Sequence, residues 1–250
     1  MPAMSSRPIL EVDPGPVDVE RILVVTAHPD DVDFGAAGSV ATWTHAGVEV
    51  AYCIVTDGEA GGSDRTMSRI DMAAIRREEQ RAAAAEVGVS DVSFLGYPDG
   101  RLVPTIELRR DISRVIRQFR PDRVVAQSPE RTWERLYASH PDHLAAGEAA
   151  ACAVYPDARN PFAHPELLEE GLEPHTVPEL WVMATERANR VVDTTEQFGA
   201  KLAALRSHKS QVGDGADLEN LLRPWMSGAA LSAGLPDGRY AEAFHVVATR

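Results

Sequence analysis

The 250-residue chain reads as an α/β protein, a mostly parallel sheet with helices on both faces. Three observations predict it. Short apolar runs of strand length alternate with longer Ala-, Arg- and Glu-rich helical stretches, the order that gives parallel strands joined by right-handed crossovers. Two of these runs end at a polar loop carrying His-Pro-Asp (His28-Pro29-Asp30 and His140-Pro141-Asp142) and then enter a helix, and such strand ends are where open α/β sheets bind ligands. No Gly/Ser linker, repeat or low-complexity tract divides the chain, so a single domain over 1–250 is expected.

Residues 1–19 are a polar, Pro-containing, extended lead-in. Strand one spans about 21–27, its run Ile22 to Val25 reading as buried. A helix follows the His-Asp cluster, starts near Ala36 and ends at Ala46-Gly47, with Gly47 as its C-cap. Glu49 to Thr56 is strand two, and the Gly-rich loop after it, Asp57 to Asp64, has neither Lys nor a Gly-x-Gly-x-x-Gly pattern, so it does not cradle phosphate. Arg69 to Val87 is a helix ended by Gly88, and its Arg76-Arg77-Glu78-Glu79 run reads as a solvated face. Asp91 to Leu95 is strand three, Ile106 to Phe119 a helix closed by Pro121, and Asp122 to Gln127 strand four. The polar stretch Ser128 to His143 leads into an Ala-rich helix, Leu144 to Ala153. Residues 156–178 form a Pro-rich loop with two surface histidines, His164 and His175; a loop this long is expected near the site, as a wall. Strand five is Glu179 to Thr185, Thr195 to Ser207 a helix, Leu218 to Ala233 mixed helix and loop, and Tyr240 to Thr249 a final strand whose His245 is not catalytic.

Thirty-eight acidic against 25 basic side chains give a net charge of −13 and a pI near 5.0. That balance argues against nucleic acid and against anionic membrane surfaces. No apolar run approaches the ~20 residues of a membrane span, and residues 1–20 lack the apolar core of a signal peptide. Cys53 and Cys152 read as small apolar residues rather than a disulfide, which fits a cytoplasmic protein. A homo-oligomer is left open.

His28 and Asp31 stand three apart, so a turn aims both at one point. An imidazole and a carboxylate suit zinc, or iron and other divalent ions. Asp30 lies between them and points elsewhere, free to act as a base. Three acids packed together repel unless a cation neutralises them. Helix capping by the aspartates is the competing explanation. His140 and His143 repeat the spacing at a second strand end, and capping needs no histidine.

At these loops the chain resembles the LmbE-like or PIG-L family of zinc-dependent N-deacetylases. The resemblance rests on Ala27-His28-Pro29-Asp30-Asp31, Thr56-Asp57-Gly58-Glu59, Arg76-x-x-Glu79, Asp99-Gly100, His140-Pro141-Asp142-His143 and His208-Lys209-Ser210-Gln211. One departure is Val32, where many members carry Glu. The resemblance implies a Rossmann-like three-layer sandwich and zinc held by His28, Asp31 and His143, with an open position for water. It implies Asp30 as general base, a protonated His140 stabilising the oxyanion, and Asp142 orienting a histidine from behind. Arg76 and Asp99 are implied substrate contacts, and His208 a structural or rim residue. The implied substrate is an acetamide on a sugar or glycoconjugate, of the N-acetylglucosaminyl type. Two alternatives are an amidase acting on a thiol conjugate and a non-catalytic sugar- or nucleotide-binding α/β module.

Overall fold

In the computed structural model the described residues are 10–62, 64–133, 136 and 139–249. Residues 1–9 of the lead-in, Ser63, and Glu134, Arg135, Tyr137 and Ala138 of the second motif stretch lie outside them. The strands are β1 (Glu11–Val12), β2 (Arg21–Thr26), β3 (Glu49–Thr56), β4 (Asp91–Tyr97), β5 (Arg123–Gln127), β6 (Glu179–Met183), β7 (Arg190–Asp193) and β8 (Ala241–Ala248). They form one sheet in the order β1-β7-β8-β6-β5-β2-β3-β4. Every pairing is parallel except those of β8, which runs antiparallel to β6 and β7.

The central strands are apolar throughout because both of their faces are covered. Ile22 and Val24 of β2, with Val50, Tyr52 and Ile54 of β3, enter one core; Leu23, Val25, Ala51, Cys53 and Val55 enter the other. The first core lies beneath α2 (Ala37–His45), α3 (Arg69–Glu86) and α7 (Phe198–Ser207) and is filled by Trp43, Trp181 and Phe244. The second lies beneath α4 (Ile106–Phe119) and α5 (Pro141–Cys152). This is the expected three-layer sandwich. Side-chain caps start the helices where the sequence places them: Ser68 Oγ accepts the Asp71 N–H and Thr105 Oγ1 accepts the Leu108 N–H, at 3.1 and 3.2 Å.

Some elements depart from expectation. The single helix after strand one is two, α1 (Asp31–Gly35) and α2, separated at Ala36. A buried ion pair from far along the chain fills the break. Glu242 accepts the N–H groups of Gly38 and Ser39 at 3.1 and 2.7 Å, capping α2. Lys201 Nζ donates to Glu242 Oε1 at 2.6 Å and to the α1 carbonyls of Asp33 and Phe34 at 2.8 and 2.6 Å. The Ala-rich helix begins at Pro141 rather than Leu144, so the whole His-Pro-Asp-His motif sits on its first turn.

Within 156–178, α6 (Pro165–Glu169) forms, and the loop is drawn together by Arg117. That guanidinium donates to the carbonyls of Asp157, Ala158, Asn160, Ala163 and Leu172. None of the loop's residues is among those that line the cleft described below. His164 and His175 are half-buried rather than surface histidines: His164 faces Asp157 at 3.4 Å and His175 Nε2 donates to the Pro121 carbonyl at 2.8 Å. A four-residue helix, α8 (Lys209–Val212), and a continuous 15-residue helix, α9 (Leu218–Ser232), in place of the expected mixture of helix and loop, complete the chain with β8.

Candidate active site at the centre of the sheet

The motif loops all leave the carboxyl ends of parallel strands. His28 to Asp31 follow β2, Ala60 and Gly61 follow β3, Asp99 and Gly100 follow β4, and His140 to His143 follow β5. From the neighbouring strands β2 and β5 the chain moves off in opposite directions, to β3 on one side and β6 on the other. That is the switch point at which open α/β sheets bind ligands. Gln127 ties the two strand ends together, its Oε1 accepting the Ala27 N–H at 2.8 Å. Gly147 lets α5 lie directly on β5; a Cβ there would come within 2.3 Å of the Gln127 carbonyl oxygen.

His28-Pro29-Asp30-Asp31 is a tight turn. The Asp31 N–H returns to the His28 carbonyl at 3.4 Å, and Asp30, in the third position, has φ 90° and ψ −26°. Type II turns take Pro second and prefer Gly or Asn third. An aspartate there costs on the order of 1–3 kcal/mol and persists only when its surroundings hold it. They do so. Gln80 Oε1 accepts the Asp30 N–H at 2.8 Å and Arg76 Nη2 donates to Asp30 Oδ2 at 3.0 Å. Arg76 also donates to the carbonyls of Pro29 and Gly58. Glycine is required around it, since a Cβ on Gly58 or Gly61 would come within 2.4 or 2.5 Å of the guanidinium.

Asp31 joins the two motifs. Its Oδ2 lies 3.3 Å from His28 Nδ1 and its Oδ1 3.0 Å from His143 Nε2. On the other edge of the ring, His28 Nε2 lies 3.1 Å from Asp99 Oδ1 and 3.3 Å from Asp142 Oδ2. Asp142 is itself fixed by the N–H groups of Gly100 and Leu102 at 2.7 and 3.2 Å. Nitrogen atoms of His28, His140 and His143 lie within 4.8 Å of one another, as do the polar atoms of His28, Asp99 and Asp142, so either group could hold a metal ion. His28, Asp99, His140 and His143, with Asp30, Asp31, Arg76 and Gly100, line a cleft of about 370 Å³, and Asp142 lies behind it.

The charges interact strongly. Burial opposes ionisation of His28, yet Asp31, Asp142 and Asp99 overcome it and push its pKa up to about 12. Burial would raise Asp31, but the cationic rings of His143 and His28 hold it well below the usual carboxylate range. His143 is raised: burial opposes its charge and Asp31 outweighs that. Asp99, resisting burial through its contact with His28, falls to about 2. Asp30 moves the other way, to about 7, through burial and then the Asp31 charge, with Arg76 pulling it back. Side by side are a carboxylate that stays ionised and one poised near neutrality, the separation that acid–base chemistry requires.

Two expectations change. The charged form of His140 is disfavoured: burial, then the charges of His28 and His143, lower its pKa. Its Nδ1 accepts the Asp142 N–H at 3.2 Å, which leaves Nε2–H as the donor of the neutral ring. Arg76 is not on a solvated face but 4% exposed, and both it and Asp99 are already engaged, with Asp30 and His28 respectively. His208 takes the structural one of its two expected roles, buried with its Nε2 2.7 Å from Asp33 Oδ2. Gln80 and Asp33 were missed as contributors. The available signal was that Met72, Arg76, Gln80, Ala83 and Ala84 form one buried stripe of α3, with two polar residues in it.

The fold and cleft define an α/β protein with a histidine–carboxylate centre at its switch point. The chain belongs to the PIG-L family: residues 23–154 match the family model described as GlcNAc-PI de-N-acetylase. It is 34% identical over 235 residues to the diacetylchitobiose deacetylase of Thermococcus kodakarensis, covering 92% of this chain and 84% of that one. It is 31% identical over 200 residues to a probable N-acetyl-α-D-glucosaminyl L-malate deacetylase 2 of Bacillus anthracis, covering 74% and 85%. Among solved structures, the N,N'-diacetylchitobiose deacetylase of Pyrococcus horikoshii, in complex with an inhibitor, superposes with a TM-score of 0.85 at 32% identity, covering 92% of this chain and 85% of that one.

Proposed function

We propose that the chain is a metal-dependent N-deacetylase that hydrolyses the acetamide of an N-acetylglucosaminyl sugar or glycoconjugate. The observation that carries this is the meeting of His28, Asp31 and His143, drawn from two strand ends, within 3.3 Å contacts in one cleft. Two imidazoles and a carboxylate suit zinc with an open position, and iron(II) is also compatible. His28 would hold the ion by the ring edge that faces Asp31, its other nitrogen staying on Asp142 and Asp99, the arrangement that fixes the orientation of metal-binding histidines. The three carboxylates around His28 supply the negative charge that a cation balances. When bound, the ion lowers the pKa of water and polarises a carbonyl.

The remaining steps belong to side chains. Asp30, poised near neutrality, takes a proton from the attacking water as its oxygen bonds to the acetyl carbon. His140 donates from Nε2–H to the oxyanion that develops. Asp30 then returns the proton to nitrogen as the C–N bond breaks, leaving acetate and a free amine. Arg76 and Asp99 act first on Asp30 and His28, and any sugar contact they make is secondary. The thiols of Cys53 and Cys152 suit the reducing cytoplasm.

The test is acetate release from a panel of N-acetylglucosamine, its glycosides and an amide-linked thiol conjugate. Release of acetate and amine in equal amounts from the glycosides, abolished by chelation, is expected. Absence of acetate from every compound after metal loading would refute the proposal.

A further inference from the structure

The Asp30 backbone is forced by its surroundings. Its φ of 90° is one that side chains rarely adopt. Its N–H donates to Gln80 Oε1 at 2.8 Å, and Gln80 Nε2 donates to Asp33 Oδ2 at 2.9 Å. The same Asp33 oxygen meets His208 Nε2 at 2.7 Å. Gln80, Asp33 and His208 are each 0% exposed, come from α3, α1 and the α7–α8 junction, and none lines the cleft. The amide has one workable orientation, because turning it over would set NH₂ against the Asp30 N–H and an oxygen against a carboxylate.

We infer that Gln80, oriented by the buried Asp33–His208 pair, is a positioning residue that holds Asp30 in the left-handed turn presenting its carboxylate to the cleft. Arg76 holds the carboxylate, and Gln80 holds the main chain. A purely space-filling role would be served better by an apolar side chain, since a buried amide is tolerated only when its hydrogen bonds are made. The inference rests on the reading of Asp30 as the base.

The test compares Gln80→Met, Gln80→Glu and Asp30→Asn in the full chain loaded with zinc. Met keeps the length and loses both hydrogen bonds. Glu keeps both, since a carboxyl buried against Asp33 retains its proton. For Gln80→Met, kcat on an N-acetylglucosaminide falls about tenfold or more while KM stays within about twofold and zinc content is unchanged. Gln80→Glu restores kcat to within about threefold. Wild-type kcat in Gln80→Met, or equal losses in both variants, overturns the inference. Should Gln80→Met not fold, His208→Phe decides by the same split, with unchanged kcat as the overturning result. Wild-type turnover in Asp30→Asn would instead remove Asp30 as the base, whereas an inactive Asp30→Asn beside a fully active Gln80→Met removes only the positioning role of Gln80.

Discussion

Replacing Arg76 by Met decides whether this residue serves the base or the sugar. The guanidinium is 4% exposed and sits 3.0 Å from Asp30 Oδ2, while also capping two carbonyls. Such a charge pair contributes between about 1 kcal/mol in water and about 4 kcal/mol at an effective dielectric near 20. A middle value of about 2.7 kcal/mol corresponds to two pKa units on Asp30. Asp30 already lies near 7 with Arg76 lowering it, so its pKa rises on removal. The acid limb of kcat/KM therefore moves up by about two pH units, and below it kcat/KM falls about 100-fold. Two carbonyls losing a donor cost about 1 kcal/mol each, which for a chain of this size lowers Tm by about 4–8 °C. The assay is acetate release from pH 5 to 10 on wild type and variant carrying the same metal. An acid limb that does not move, with the whole loss appearing in KM, would refute the reasoning and make Arg76 a substrate contact.

Two further predictions follow from the contacts. Asp142→Asn removes a carboxylate from behind His28 Nε2, and a chelator competition assay shows metal affinity down by about 10- to 100-fold; unchanged affinity would mean that Asp142 serves only the Gly100 and Leu102 amides. Lys201→Met leaves Glu242 buried without its cation and costs about 3–5 kcal/mol in urea unfolding. Part of that loss returns when Glu242→Gln is added, and no recovery would show that the pair is not the origin of the loss.

The central strands were legible because parallel strands covered on both faces are apolar at nearly every position, as in Ile22 to Val25 and Val50 to Val55. The helices that begin at Arg69 and Ile106 carry their own caps. Where the deciding contact is distant, local pattern fails. Between Phe34 and Ala37 only Gly35 hints at a helix break, because the groups that make it, Lys201 and Glu242, lie more than 160 residues away. β1 and β7 have two and four residues, too few to show a period, and exist through pairing with each other and with β8. Within the site, the paired His-Pro-Asp motifs announced the meeting of His28, Asp31 and His143. The lowered pKa of His140 was hidden, because it depends on burial and on two other histidines about 5 Å away. Arg76 looked solvated inside a run of four charges, and only the Gly58–Gly61 loop closing over it makes it a buried partner of Asp30.

The most direct measurement is an anomalous difference map from crystals of the zinc-loaded protein, collected on both sides of the zinc edge. The account predicts a single strong peak bonded to His28, Asp31 and His143 at about 2.0–2.2 Å, with Asp30 and His140 beside its open position. A peak centred on His28, Asp99 and Asp142, or none in the cleft of a protein that turns over, would contradict it.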